Sequence, residues 1–146
     1  MLRRLALAFC LVLTVPVTAV LAAGAQHKLA IHVDQNDPAV MNMALNNAQN
    51  VQAYYNAKGE SVEIEIVAYG PGLVMLREDK SPVRDRIAAM SLEIPSLAFS
   101  ACGNTHSAMS KAEGKEVPLM SEATLVPSGV VRLMELQEEG FSYVRP

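Results

Sequence analysis

The chain has 146 residues, a formal net charge of −3 and 51% hydrophobic residues. With two cysteines and few glycines, this composition excludes a disordered chain, a collagen-like chain and a small scaffold held by disulfides. The acidic balance and the 5% aromatic content also argue against binding to nucleic acid. The length predicts one domain, and the hydrophobic content raises the question of a membrane protein.

The first 25 residues have the pattern of a secretory signal peptide. Arg3 and Arg4 precede the uncharged apolar run Leu5–Ala23, and Ala23-Gly24-Ala25 fits the rule of small residues at a cleavage site. We expect cleavage after Ala25. The product is then a periplasmic or secreted domain over residues 26–146, without stable insertion in a membrane.

An uncleaved membrane anchor is the alternative for this segment. Its apolar run of about 19 residues is barely long enough to span a bilayer, and Pro16 interrupts it. Cleavage is therefore the favoured interpretation. It removes Cys10 and leaves Cys102 as the single cysteine of the mature chain.

The first half of the mature chain predicts strand, helix and strand. Lys28–Asp34 is an apolar-rich strand, and Asp37-Pro38 starts a helix that ends at Gly59. Ser61–Ala68 alternates apolar and acidic residues, which predicts a strand at the edge of a sheet or only partly covered. Tyr69–Gly72 is a turn, and a short helical turn follows it.

The second half continues the same alternation of helices and strands. Six further elements are predicted there in chain order: a helix after Ser81-Pro82, strand Ile94–Ala101, a helix that follows Cys102 and ends at Gly114, strand Glu122–Val126, helix Gly129–Glu139 and the last strand Phe141–Val144. The helix at residue 129 has Ser128 as its N-cap. Its predicted apolar stripe is Val130, Leu133 and Met134.

Strands separated by helices imply parallel pairing through right-handed crossovers. The predicted fold is thus a three-layer α/β sandwich, with a five-stranded, mostly parallel sheet covered by helices on both faces. Ligands of such sheets bind outside the carboxyl ends of the strands, near a topological switch point. That rule selects nine residues in the four loops at this edge as candidate binding residues: Asp34, Tyr69, Gly70, Gly72, Gly103, Asn104, Thr105, Ser128 and Gly129.

Cys102 is the most informative single residue. It follows a strand and precedes a helix, and a thiol at a helix N-terminus is favoured as thiolate by unpaired N–H groups and the helix dipole. His106 lies four residues later, where a protonated ring would lower the thiol pKa further. Cys102 and His106 are therefore the candidate catalytic residues. The alternative is that Cys102 only fills space in the core.

Metal sites and hydrolase chemistry find less support in the sequence. Cys102 and His106 supply two metal ligands, whereas a site needs three or four, so no metal and no other cofactor is predicted. Ser128 follows a strand, but the Gly-x-Ser-x-Gly pattern of a nucleophile elbow is absent from the sequence. Gly70-Pro71-Gly72 is a weak candidate for a phosphate loop.

Several segments of the mature chain resemble the DsrE/DsrF-like family of small proteins related to sulfur relay. The resemblance extends from about Lys28 to Pro146. It is carried by Asn46-Asn47, Ala68–Gly72, Ala101–Thr105, Val126–Val131 and Leu136–Pro146, in this order and spacing.

This resemblance implies a compact flavodoxin-like or DsrE-like fold and homo-oligomers, often trimers or hexamers. In sulfur-transferring members of the family a cysteine after a central strand carries sulfur as a persulfide, and Cys102 matches that position. The implied partners are a sulfur donor and a sulfur acceptor protein. The predicted function is therefore an exported, sulfur-handling protein, with Asn104 and Thr105 as orienting donors. The alternative from another class is a non-catalytic, oligomeric module that binds a small anion or metabolite.

Overall fold

The computed structural model describes residues 25–146. Within this range a five-stranded parallel sheet carries helices on both faces, which confirms the predicted α/β class. Nearly all of the predicted signal peptide, with Cys10, lies outside the described residues. The elements are β1 His27–Val33, α1 Pro38–Lys58, β2 Val62–Ala68, a 3₁₀ helix Gly70–Leu76, α2 Arg84–Glu93, β3 Leu97–Cys102, α3 Gly103–Glu113, β4 Ala123–Val126, α4 Gly129–Glu138 and β5 Ser142–Val144.

Local signals in the sequence set the ends of the longest helix. The side chain of Asp37 accepts a hydrogen bond from the N–H of Ala39 at 2.8 Å, and Pro38 follows at the first helical position. At the other end, Gly59 adopts the left-handed conformation with φ +70°, which closes α1 without steric cost. Both predicted boundaries of α1 are confirmed.

The strand order β4-β3-β2-β1-β5 explains where the helices lie. The chain steps from β1 to β4 in one direction, so right-handed crossovers put α1, α2 and α3 on one face of the sheet. It then returns across the whole sheet to β5, which forces α4 onto the opposite face. The large hydrophobic core accordingly lies under α1, α2 and the 3₁₀ helix, while α4 packs on a smaller cluster that includes Leu133, Leu136 and Phe141.

Two predictions about exposed faces are wrong. β2 lies in the middle of the sheet rather than at its edge, and Glu65, predicted to face water, is only 6% exposed because Arg132 covers it. On α4, Leu133 and Leu136 face the sheet, whereas Val130 and Met134 of the predicted stripe are more than half exposed.

None of the helices within residues 25–146 is both long and apolar enough to cross a bilayer.

Candidate functional site

Cys102 lies where the direction of the chain reverses. The loop after β3 turns to α3 on one face of the sheet, and the loop after β4 turns to α4 on the other face. The carboxyl ends of β3 and β4 therefore border the crevice in which open α/β sheets bind their ligands. Cys102 is the last residue of β3 and the N-cap of α3, and its side chain is buried.

The sulfur of Cys102 faces hydrogen-bond donors from two helices. Burial raises the pKa of the thiol, but a hydrogen bond from the side chain of Thr105 and one from the backbone N–H of Gly129 lower it. The N–H groups of Thr105 and Asn104 add to this lowering, so that the pKa of Cys102 lies below its ordinary value. The N-termini of α3 and α4 thus stabilise the thiolate from both sides of the sheet.

The hydroxyl of Thr105 is oriented by a bond from another loop. The backbone N–H of Gly70 donates to Oγ1 of Thr105 at 2.9 Å. Because this bond occupies an acceptor lone pair, the hydroxyl proton remains free to point at the sulfur. Gly70 therefore acts on Cys102 through Thr105, while Asn104 and Thr105 themselves donate toward the sulfur.

Gly129 allows α4 to approach the thiol closely. A Cβ at this position would lie 2.9 Å from Cβ of Tyr69 and 3.1 Å from Cβ of Cys102, closer than real Cβ contacts normally come. The loop N-cap Ser128 makes no capping hydrogen bond through its side chain. Of this predicted pair, Gly129 is therefore the residue that contacts Cys102.

Two other predicted glycines are required by packing of backbone on backbone. A Cβ on Gly72 would lie 2.3 Å from the carbonyl oxygen of Val33, and one on Gly103 would lie 2.9 Å from that of Val126. The space beside each glycine is filled by the neighbouring strand end. We therefore assign Gly72 and Gly103 to the closure of the loops around the crevice rather than to direct contact with a ligand.

His106 has a different partner from the predicted one. Its Nε2 lies 2.8 Å from the carbonyl oxygen of Val117, so this nitrogen donates to the loop that leads into β4. A ring held in this way cannot serve as a base through Nε2. The groups that lower the pKa of Cys102 are instead donors at the N-termini of α3 and α4, and activation by His106 stays a prediction.

A second polar cluster adjoins the crevice at the carboxyl end of β1. The ring of His32 stacks on Tyr69 with 4.4 Å between centroids, and its Nδ1 lies 2.8 Å from the hydroxyl of Tyr143. Among the described residues, Nε2 of His32 is the one buried side-chain nitrogen or oxygen that has no hydrogen-bond partner. Tyr69 thus connects this cluster to Gly129 and Cys102.

Asp34, a predicted binding residue, lies at the solvent side of the same cluster. Its carboxylate pairs with Arg145 at 2.8 Å and approaches Nε2 of His32 to 4.0 Å. Burial is the main cause that raises the pKa of Tyr69, and Asp34 raises it further, so the phenol stays protonated at neutral pH. Asp34 and Tyr69 are therefore held together with groups that the sequence analysis did not select.

Three residues of this cluster escaped the sequence analysis. His32 lies on β1 and Asp34 is the first residue after it, two positions on, so an alternating backbone puts both side chains on one side, and this spacing was a usable signal. Tyr143 and Arg145 could not be placed with them from the sequence. Their position depends on the pairing of β5 with β1, which joins strands more than a hundred residues apart.

The environment of His32 predicts a loss of stability in mild acid. Burial lowers the pKa of His32 below its ordinary value of 6.5, against an opposing effect of Asp34. In the unfolded chain His32 takes up a proton near pH 6.5, whereas in the folded chain it does so only at lower pH. The free energy of unfolding therefore decreases as pH falls through this region. We expect urea unfolding at pH 7.5, 6.5 and 5.5 to show this decrease, and His32→Asn to reduce it. An unchanged pH dependence in that variant would contradict the assignment.

A shallow apolar groove of about 690 Å³ opens beside the crevice. It runs between the 3₁₀ helix and α3, with Gly70 and Thr105 at the end nearest the thiol and Met109 farther along. Within residues 25–146 no cluster of three or more His, Cys, Asp or Glu side chains could hold a metal ion. The site is thus a thiol surrounded by hydrogen-bond donors. The cluster of His32, Tyr69 and Tyr143 borders it on one side, and the apolar groove borders it on another.

Comparison with known proteins identifies a relative of this chain. No family model matches the chain, and no curated protein matches it either. A solved structure, the protein of unknown function MTH1491 from Methanobacterium thermoautotrophicum, is 30% identical with a TM-score of 0.70, and the match covers 82% of this chain and 99% of that chain. The chain belongs to the MTH1491 family. Membership in the MTH1491 family agrees with the α/β fold and leaves the function to be argued from the site.

Proposed function

We propose that the protein is an exported sulfur carrier, similar to the DsrE/DsrF-like proteins, in which Cys102 accepts sulfane sulfur and passes it on. The observation that carries this proposal is the set of donors around the sulfur, which comes from the N-termini of α3 and α4 and lowers the pKa of the thiol. A cysteine that only fills space needs no such donors. A nucleophilic cysteine does, because the thiolate is the reactive form.

The proposed transfer has two steps that conserve electrons. The Cys102 thiolate attacks the outer sulfur of a persulfide donor R–S–SH, a new S–S bond forms at Cys102, and the donor leaves as R–S⁻ with the electron pair of the broken bond. An acceptor thiolate then attacks the outer sulfur on Cys102, which leaves as thiolate again. Sulfur moves at an unchanged oxidation state, so neither step needs an oxidant or a reductant.

The same donors serve both steps. Hydrogen bonds from Thr105 and from the N–H of Gly129 stabilise Cys102 as the attacking thiolate and, in the second step, as the leaving thiolate. Burial of the sulfur restricts access to partners that reach into the crevice. We therefore propose that the donor and the acceptor each carry the reacting sulfur on an exposed group that is narrow enough to enter the crevice.

Location and assembly belong to the same proposal. Arg3, Arg4 and the apolar run after them support export with cleavage after Ala25. Homo-oligomers, as trimers or hexamers, are supported by the family resemblance and by three apolar side chains of α4 that are about half exposed. These are Val130, Val131 and Met134.

Mass spectrometry tests the sulfur carrier directly. The protein is purified without reductant and incubated with inorganic polysulfide, and its intact mass is measured before and after treatment with dithiothreitol. We expect the folded protein to gain the mass of one or more sulfur atoms, which dithiothreitol removes. The same spectrum shows whether the chain starts at Gln26.

Cys102→Ser is the matched control, because it replaces only the sulfur and leaves a chain cleaved after Ala25 without a cysteine. This variant should gain no sulfur. If the wild-type protein gains none, or if Cys102 reacts with iodoacetamide only after denaturation, the proposed function is wrong.

Binding without catalysis is the second candidate, and the apolar groove beside Thr105 favours it. A groove of this size accommodates a small metabolite or an apolar segment. Native mass spectrometry in the presence of a metabolite extract distinguishes the two functions. A ligand that binds equally to the wild type and to Cys102→Ala, in a protein that takes up no sulfur, supports the binding module.

A further inference from the structure

We propose that the ion pair between Glu65 and Arg132 is a positioning pair for Cys102, which holds the first turn of α4 against the sulfur. This inference rests on the proposed role of Cys102 as a reactive thiol. It concerns two residues that do not contact the sulfur and that the sequence analysis placed in solvent or left without a role.

The carboxylate of the pair is buried, the guanidinium is one-quarter exposed, and the geometry between them is well defined. Nε of Arg132 donates to Oε1 of Glu65 at 2.8 Å, and Nη2 donates to Oε2 at 2.8 Å. Two parallel bonds between planar groups fix direction as well as distance. The side chain of Glu65 is 8% exposed, so the carboxylate has lost most of its hydration. Such pairs add little net stability over apolar packing, which makes a role in positioning the better explanation here.

Glu65 connects the two elements that meet at the thiol. Its Oε1 also accepts a hydrogen bond of 2.6 Å from Ser100, which lies on β3 two residues before Cys102 and on the same face of the strand. One carboxylate thus contacts the strand that carries the sulfur and the helix that donates to it. Loss of the carboxylate removes both connections at once.

Arg132 is directly linked to the donor at the start of α4. Its backbone N–H donates to the carbonyl of Ser128 at 2.9 Å, and this bond closes the helical turn that contains Gly129. The apolar contacts of α4 lie farther along, at Leu133 and Leu136. The exposed side chains of Val130 and Val131 do little to locate the first turn. Its position therefore depends on Arg132 and on the close contact at Gly129.

The test compares Glu65→Gln with the wild-type chain in alkylation by iodoacetamide from pH 5 to pH 10. We expect the midpoint of the profile to move to higher pH, with alkylation about threefold slower at pH 6.5, because the loss of one helix N-terminus weakens stabilisation of the thiolate. At pH 10, where both thiols are ionised, the two rates should be equal. A rate that is reduced equally at every pH would indicate lost access to the sulfur and would overturn the proposal.

Glu113→Gln is the matched control. Glu113 forms a comparable pair with the buried Arg77, at 2.6 Å, but lies at the far end of α3. Its alkylation profile should coincide with that of the wild type. If Glu65→Gln does not fold, Ser100→Ala removes the contact to β3 alone and is judged by the same shift in midpoint.

The two proposals fail in different ways. A wild-type thiol that takes up no sulfur and alkylates only after denaturation overturns the sulfur carrier, whatever the variants do. A reactive wild-type thiol whose profile is unchanged in Glu65→Gln overturns the positioning role and leaves the carrier intact.

Discussion

Gly72→Ala should destabilise the folded chain by about 3 kcal/mol or more. The added methyl group would lie 2.3 Å from the carbonyl oxygen of Val33 and 2.6 Å from its carbonyl carbon. Both atoms belong to the backbone at the end of β1, which cannot turn aside as a flexible side chain can. The 3₁₀ helix must therefore move away from the sheet. Urea unfolding, followed by circular dichroism, measures the loss in free energy of unfolding.

Gly70→Ala is the control for this prediction, two residues earlier in the same 3₁₀ helix. Gly70 has φ +52°, and a Cβ there would meet nothing within 4 Å. Only the strain of the left-handed conformation applies, and we expect a loss of about 1 kcal/mol. If the two variants are equally stable, the close approach of the 3₁₀ helix to β1 is incorrect.

Arg132→Met should lower the free energy of unfolding by about 3 kcal/mol, since it leaves a carboxylate buried without its partner. Glu65 would retain only the hydrogen bond from Ser100. Urea unfolding at neutral pH measures the loss, with the wild type as reference.

The double variant Glu65→Leu with Arg132→Met separates charge from packing. It replaces both the buried Glu65 and its partner by apolar groups, so it should recover most of the stability that Arg132→Met loses. If it is no more stable than the single variant, the cost does not come from an uncompensated charge. A stable double variant with a raised alkylation midpoint would agree with positioning by the pair.

The sequence predicted best what depends on neighbouring residues. Asp37-Pro38 and Gly59 determine the ends of α1 through bonds within a few residues, and Gly114 does the same for α3. The position of Cys102 between a strand and a helix was predicted from the adjoining segments alone. These signals act locally, so one sequence is enough to interpret them.

Long-range partners account for what the sequence could not predict. Glu65 alternates with apolar residues, as in a strand with one solvent-exposed face. Its burial depends on the ion pair with Arg132, 67 residues later. Gly129 looked like the start of a helix, yet its contact with Cys102 depends on the return of the chain from β4 to β5. The same return places Tyr143 beside His32. None of these contacts leaves a pattern within a short window of sequence.

The order of the strands has an electrostatic consequence for Cys102. Had the chain continued in one direction after β4, α4 would have packed beside α3 on the same face of the sheet. The two helix dipoles would then have approached the sulfur from one side only. The reversal sets them in opposite layers, so that their positive ends converge on one atom at the rim of the sheet. Because donors of both helices lower the pKa of the thiol, we expect a displacement of either helix to raise that pKa.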